Sequence, residues 1–392
     1  MMIREDTMQS LHGEMIEWRR YLHRHPELSF KEYRTSDWLA DKLESWGLQV
    51  RRGVAGTGIV ARLVGGLPGR TIALRSDIDA LAIQDEKTVE YASSVPGVMH
   101  ACGHDGHMAE LLAVACYYSR HQAETAGTRV FLFQPGEEVL PGGAIGMIRD
   151  GALEGVDAIY GVHLWSPLPY GVVATRPGPF MASPDEFEIV VTGKGGHGGL
   201  PHQSVDAIVA GAHMVTALQT IVSRNVDPLH SAVVSVGRLQ AGTANNVIAE
   251  RCLLAGTVRT FDEETRRYVS RRLEEVVRHV SDMHGTKASF DFVFGYPPVV
   301  NDESEAERVL RIAGGLDGIG EARRMDPVMA GEDFSYYLKE VPGCFFFVGA
   351  GAADGSSFPH HHPRFDIDER AMLDAARLLV AVADDSARDS HS

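Results

Sequence analysis

The order of elements predicts an α/β protein: a mostly parallel sheet covered by helices on both faces, with a ferredoxin-like domain inserted into it. Two observations carry this. Apolar runs of strand length alternate with amphipathic helical segments through residues 1–182 and again through 297–392. Between them, residues 183–296 read β-α-β-β-α-β. A chain of 392 residues with 44% apolar and 23% charged residues can fill a large core in one to three domains.

Leu11, Met15, Trp18 and Leu22 repeat at helical spacing, and His25-Pro26 stops that helix. Ser29-Phe-Lys-Glu32 has the form of a capping box for a second helix, which ends at Trp46 and Gly47. Strands are expected at 58–63, 71–75, 129–133 and 158–163, with helices through 111–118 and near 145–149. The inserted domain has strands at 185–192, 231–239, 247–259 and 287–294 and a helix at 204–223. A second helix at 263–283 carries Val269, Leu273, Val276, Val280 and Met283 on one stripe and stops at Gly285. After Pro297-Pro298 come helices at 304–312, 333–338 and 369–383 and a strand at 344–348, and the last residues, 384–392, are expected to fray. In such sheets ligands sit beyond the carboxyl ends of the strands.

A net charge of −16 without a long basic run argues against nucleic acid and anionic membranes as partners. No apolar leader appears, and no segment reaches the roughly 18 apolar residues needed to span a bilayer, so a cytoplasmic protein is expected. Four scattered cysteines make no disulfide framework. Cys116, Cys252 and Cys344 lie in apolar runs and read as core residues, which leaves Cys102 free to act as a thiolate.

The chemistry concentrates in His100-Ala-Cys-Gly-His-Asp-Gly-His107. Imidazole and thiol at this density suit a transition metal such as zinc, not calcium or magnesium. In an extended segment Cys102 and His104 point the same way and converge on one centre, with Gly106 turning the chain. His100 and His107 are weaker, as outer donors or pocket walls. Glu137 and Glu138 follow a buried strand; on extended backbone they project oppositely, one toward a metal and one toward a water it deprotonates. Asp77 and Asp79 at a strand end suit the orientation of a metal-bound imidazole, or a turn cap. His163 ends a strand, and one of His360, His361 and His362 is a further ligand candidate. The glycine-rich stretch 193–202 holds His197 and His202 but has no Walker or dinucleotide pattern.

These residues resemble a known family. Leu22-His-Arg-His-Pro-Glu-Leu-Ser29, Leu74-Arg-Ser-Asp-Ile-Asp-Ala-Leu81, the 100–107 cluster, Phe133-Gln-Pro-Gly-Glu-Glu138 and Gly195-Gly-His-Gly-Gly-Leu-Pro-His202 occur in order. Gly242-Thr-Ala-Asn-Asn-Val-Ile248, Gly256-Thr-Val-Arg-Thr-Phe261, Gly331-Glu-Asp-Phe-Ser335 and His361-His-Pro363 complete the set. The pattern is similar to the cocatalytic metallohydrolases typified by aminoacylase and carboxypeptidase G. Within them it resembles the amidohydrolase branch of hippurate hydrolases and plant auxin-conjugate hydrolases. One departure is His362, where family members often carry a small polar residue.

The resemblance implies an enzyme that cleaves N-acyl amino acids to a carboxylic acid and a free amino acid. It implies two divalent ions per subunit (zinc, manganese, cobalt or nickel). Cys102 would bridge them, with His104, Glu138, His163 and His361, the last chosen by its His-x-Pro position, completing the ligands. Glu137 would be the general base, and His197 would stabilise the oxyanion, often in a partner subunit of a homodimer or higher homo-oligomer. Asn246 and Arg259 would hold the substrate, Arg259 near its carboxylate. The other readings are a dipeptidase or carboxypeptidase of the same family, and a non-catalytic metal-binding protein of the same fold.

Overall fold

The computed structural model describes residues 5–352 and 357–389. Helix α1 (Glu5–Arg24) buries Met8, Leu11, Met15, Trp18 and Leu22. Helix α2 (Tyr33–Ser45) forms without the expected capping box. The hydroxyl of Ser29 donates instead to Asp79 Oδ2 (2.6 Å), and the carboxylate of Glu32 accepts from Gly136 N (3.0 Å) and the Thr57 hydroxyl (2.6 Å). Long-range partners have claimed both side chains, and Glu27 serves the first turn, accepting from Thr35 N and Oγ1.

Strand β1 (Gln49–Val54) escapes sequence reading because it is a polar edge strand with no alternating burial. β2 (Gly58–Val64), β3 (Leu67–Asp77), α3 (His104–Arg120), β4 (Ala126–Gln134), α4 (Ala144–Arg149) and β5 (Ala158–Pro169) follow, then the short β6 (Val172–Thr175) and β7 (Gly178–Met181).

Next in the chain come β8 (Asp185–Thr192), β9 (Gly196–His197), α5 (Ala207–Thr220), β10 (Ala232–Ala241), β11 (Val247–Ile248), β12 (Arg251–Thr260), α6 (Glu263–His284) and β13 (Lys287–Val293). The strand expected over 247–259 is therefore two: β11 pairs with β9, and β12 with β10 and β8. Helix α5 starts later than expected because Asp206 caps it, accepting from the amides of Ile208 and Val209. Helix α6 is capped by Asp262 and stopped by Gly285 at φ +66°. Its buried stripe runs Val269, Leu273, Val277, Val280; Val276 is half-buried, and Met283 in the last turn is 66% exposed. The sheet order β10-β12-β8-β13, antiparallel throughout, is the ferredoxin-like arrangement.

The chain returns through β14 (Val299–Asn301), α7 (Glu303–Ala313), β15 (Glu321–Arg324), α8 (Ser335–Leu338), β16 (Gly343–Gly351) and α9 (Arg370–Ser386). The large sheet runs β1-β2-β4-β3-β5-β16-β6-β15. Its centre, β4-β3-β5-β16, is parallel, whereas β1-β2, β2-β4 and β16-β6 are antiparallel. On one face Tyr160, Val162, Leu164, Phe346 and Val348 join the core beneath α1, α2, α3, α7 and α9. On the other, Phe345 packs against Phe334 at 5.0 Å, beside α8. Two compact units result: residues up to Gly178 with Val300–Asp326 and those from Asp333 on, and Pro179–Val299 with Pro327–Glu332. Among the described residues no helix is long and apolar enough to cross a membrane.

Part of the tail expected to fray is built into the core. Asp384 accepts from Arg129 Nη2 (2.8 Å) and the Tyr118 hydroxyl (2.9 Å), and α9 runs on to Ser386. Residues 390–392 of that tail lie outside the described residues. Arg129 is fully buried, so losing its partner strands a charge away from water. Asp384→Ala is expected to cost about 3–5 kcal/mol, read as a lower urea midpoint. A midpoint equal to that of the wild type would show that the pair adds nothing.

Candidate metal centre

Three turns and strand β5 carry the candidate ligands. Cys102 and His104 do not lie on extended backbone. They flank Gly103 at φ +93°, the N-cap of α3, and His104 is the first helical residue. Glycine is used here for its backbone, since an added Cβ would have no neighbour nearer than 3.6 Å. Gly106 lies inside the helix and makes no turn. Glu137 and Glu138 also leave extended backbone: they sit in a turn past β4, after Gly136 at φ +61°, where an added Cβ would strike the Phe30 ring at 2.4 Å. His163 lies within β5, not at its end, because that strand runs on to Pro169. His361 adopts φ +63°, a conformation costing a non-glycine residue on the order of 1–3 kcal/mol. Its amide donates to Ala101 O (2.8 Å), which holds it beside Cys102.

Short distances link these turns into one cluster. Cys102 Sγ is 3.5 Å from His163 Nε2. Ligand atoms of Cys102, Glu138 and His361 lie within 4.8 Å of one another, as do those of His104, Glu137 and Glu138, and of Cys102, His163 and His360. Among the described residues Glu138 Oε1 is buried without a hydrogen-bond partner, 3.3 Å from His361 Nε2 and 3.9 Å from His104 Nε2. A buried acceptor oxygen facing two imidazoles and a thiol fits a soft or borderline divalent cation.

The imidazole orientations fit the same ion. His163 Nδ1 meets Leu164 O at 3.0 Å, which leaves Nε2 toward the thiol. His104 Nδ1 faces Asp79 O (2.9 Å) and Oδ1 (3.2 Å), which leaves Nε2 toward Glu138. The same Asp79 accepts from Glu138 N (3.1 Å). By contrast both nitrogens of His107 are used: Nδ1 against Asp77 Oδ1 (2.7 Å), Nε2 accepting from Leu164 N (2.9 Å). His107 is thereby a wall of the site. Asp77 is shared with Arg75 Nη1 (2.7 Å), whose other nitrogens reach Gln134 and Asp333.

The buried charges shift these groups in opposite directions. Burial, then Glu138, Glu137 and Asp77, push the Cys102 thiol well above its usual range. Burial alone would lower His104, but Asp77, Asp79 and Glu138 outweigh it and push it up to about 10. Burial, with His107 and His360, holds His163 far below the usual imidazole value. These surroundings favour a thiol at Cys102, an imidazolium at His104 and a neutral imidazole at His163 at neutral pH.

Sequence reading offered His360 only as one alternative to His361 and His362, and it did not foresee the contacts of Ser29 and Glu32. His360 is half-buried, and its Nε2 accepts from Ser166 N (3.1 Å); it groups with Cys102 and His163 within 4.8 Å, as His361 groups with Cys102 and Glu138. The adjacency of His360 and His361 was visible, but the backbone turn that aims each one was not. The roles of Ser29 and Glu32 left no local signal.

The other three candidates lie in the second unit. His197 is exposed on β9 opposite Val247, and its Nδ1 accepts from Gly199 N (3.0 Å), which leaves Nε2 to donate. Asn246 stands beside it, its backbone carbonyl accepting from Gly198 N (2.8 Å). Arg259, half-buried on β12, donates to the Thr257 hydroxyl, Val258 O (3.0 Å) and Met329 O (3.3 Å).

A parallel-centred α/β sheet with thiol, imidazole and carboxylate groups gathered around Cys102 defines a candidate metal-binding enzyme. Comparison with known proteins gives the family. Residues 73–385 match the model of Peptidase family M20/M25/M40, and the chain belongs to that family. It is similar to the N-acyl-L-amino acid amidohydrolase of Geobacillus stearothermophilus, 50% identical over 294 residues, 74% of this chain and 79% of the relative. It is also similar to the N-acetyl-L-cysteine deacetylase of Bacillus subtilis, 41% identical over 379 residues, 96% and 89%. Among solved structures it resembles the Bacillus subtilis YxeP protein, described as a dinuclear metal binding peptidase from the M20 family. That match has a TM-score of 0.83 at 35% identity and covers 96% of this chain and 98% of that one. The chain is a hydrolase acting on amide bonds.

The protonated thiol and imidazolium give a test. A cation taken up at pH 7 must expel one proton from Cys102 and one from His104. Both groups are protonated below their raised pKa values, so affinity should rise with pH. Calorimetric titration with zinc in buffers of different ionisation enthalpy should show at least two protons released. No buffer dependence would contradict these protonation states.

Proposed function

We propose that this chain hydrolyses the amide bond of N-acyl amino acids to a carboxylic acid and a free amino acid. The named activities of its relatives support the substrate class. The observation that carries the reading is the pair Glu137 and Glu138, adjacent in sequence and both close to His104 and to each other. One carboxylate is available as a ligand and one as a base.

In this reading two divalent ions (zinc, manganese, cobalt or nickel) are held by Cys102, His104, Glu138, His163 and His361, with Asp79 orienting His104. Bound there, they would supply a water of lowered pKa and polarise the acyl carbonyl. Glu137 takes a proton from the attacking water as its oxygen bonds to the acyl carbon. It then delivers that proton to the nitrogen as the C–N bond breaks, so the amine leaves neutral. His197 donates from Nε2 to the oxyanion, a contribution typically worth about 2.7–4 kcal/mol. Asn246 and Arg259 bind the amino-acid half, the guanidinium facing its carboxylate. We further propose that the enzyme works in the cytoplasm as a homodimer or higher homo-oligomer, with residues 183–296 as a lid and dimerisation domain.

The test is a panel of N-acetyl and N-benzoyl amino acids and dipeptides, assayed with each of the four metals. Turnover of the acyl amino acids is expected to exceed that of the dipeptides; the reverse order would mark a peptidase. Glu137→Ala should keep its metal by elemental analysis and lose about 10²–10⁴-fold in kcat. Normal turnover in that metal-loaded variant would remove Glu137 from the role. His197→Ala should lose about 10²–10³-fold in kcat with metal content unchanged.

A further inference from the structure

The Glu137–Glu138 turn is gripped from a distant part of the chain. Glu32 is fully buried. Its Oε1 accepts from Phe30 N (2.8 Å) and from Gly136 N (3.0 Å), 104 residues away, and its Oε2 from the Thr57 hydroxyl (2.6 Å). Two residues further along the turn, Glu138 N donates to Asp79 Oδ2, which also receives the Ser29 hydroxyl. Two carboxylates thus hold the amides on either side of Glu137. The Phe30 ring closes over Gly136, its own backbone held at φ +60°.

We infer that Glu32 is a positioning residue: by fixing the Gly136 amide it sets the direction in which Glu137 presents its carboxylate. The inference rests on the role given to Glu137 above. Helix capping does not explain Glu32, since its side chain makes no cap bond to α2 and Glu27 serves that first turn. General core filling does not explain it either, because an apolar side chain would leave the Phe30 and Gly136 amides and the Thr57 hydroxyl unpaired. A carboxylate accepting backbone N–H groups makes charge-assisted bonds, stronger than neutral ones, and so holds a glycine that would otherwise sample many conformations. Misplacing a catalytic group by about 1 Å can cost on the order of 10²-fold in rate.

The experiment compares the full-length wild type with Glu32→Ala, Glu32→Asp and Glu32→Gln. Hydrogen exchange over residues 134–140 and zinc affinity by chelator competition are read beside kcat and KM. Glu32→Ala should speed exchange at the Gly136 and Glu138 amides at least tenfold and weaken zinc through Glu138. It should lower kcat about 10²-fold while KM moves less than about threefold. Glu32→Gln, whose amide oxygen still accepts both N–H groups, should restore most of each. If the alanine variant does not fold, Glu32→Asp, one methylene shorter, should show the same local release. Wild-type exchange over 134–140 in a folded alanine or aspartate variant overturns the proposal whatever the rate does. So does exchange that rises across the whole protein rather than at this turn. A wild type inactive on every N-acyl amino acid would sink the substrate assignment, while the exchange and zinc measurements would still decide the role of Glu32.

Discussion

The carboxylate of Asp79 is the joint on which the candidate centre depends. It lies just past β3, and its two oxygens reach the His104 imidazole, the Glu138 amide and the Ser29 hydroxyl. Three stretches of chain far apart in sequence are thereby fixed to one rigid strand end. Each contact also supplies a partner that a buried charge needs, and His104 and Ser29 help to hold the Asp79 carboxyl below its usual range against the opposing effect of burial. Precise placement of ligands and satisfaction of a buried carboxylate are here the same set of bonds.

The fold was largely legible because period and punctuation are local. Leu11 to Leu22 repeat at helical spacing, and Gly285 ends α6 because only a residue tolerant of positive φ can close the helix that way. The failures share a physical cause. Ser29 and Glu32 have the form of a capping box, yet distant partners took both side chains. Asp384 looked like part of a polar tail until Arg129, fully buried on β4, required its charge. Val277 replaces Val276 on the buried stripe of α6, and Met283 leaves it, a distinction of one residue that the sheet beneath decides.

The candidate site divides along the same line. Rare chemistry is visible in a sequence: a thiol among histidines, paired glutamates after an apolar strand. The geometry that joins them is not. Gly103, Gly136 and His361 all take positive φ, and the turns at the first two bring side chains together where the sequence pattern predicted extended backbone. His361 does so without the freedom of glycine, a strain that the rest of the fold must offset. The pairing of His107 with Asp77, and the nearness of His360 to Cys102, emerge only once β3, α3 and β5 stand side by side.

The most direct test is anomalous diffraction from crystals grown with manganese or zinc. Metal peaks beside the Cys102 sulfur are expected, where His104, Glu138, His163 and His361 would hold the ions, with the Glu137 carboxylate nearby. Ions bound instead at Asp77 and His107, or an ordered cluster that takes up no metal at neutral pH, would contradict it.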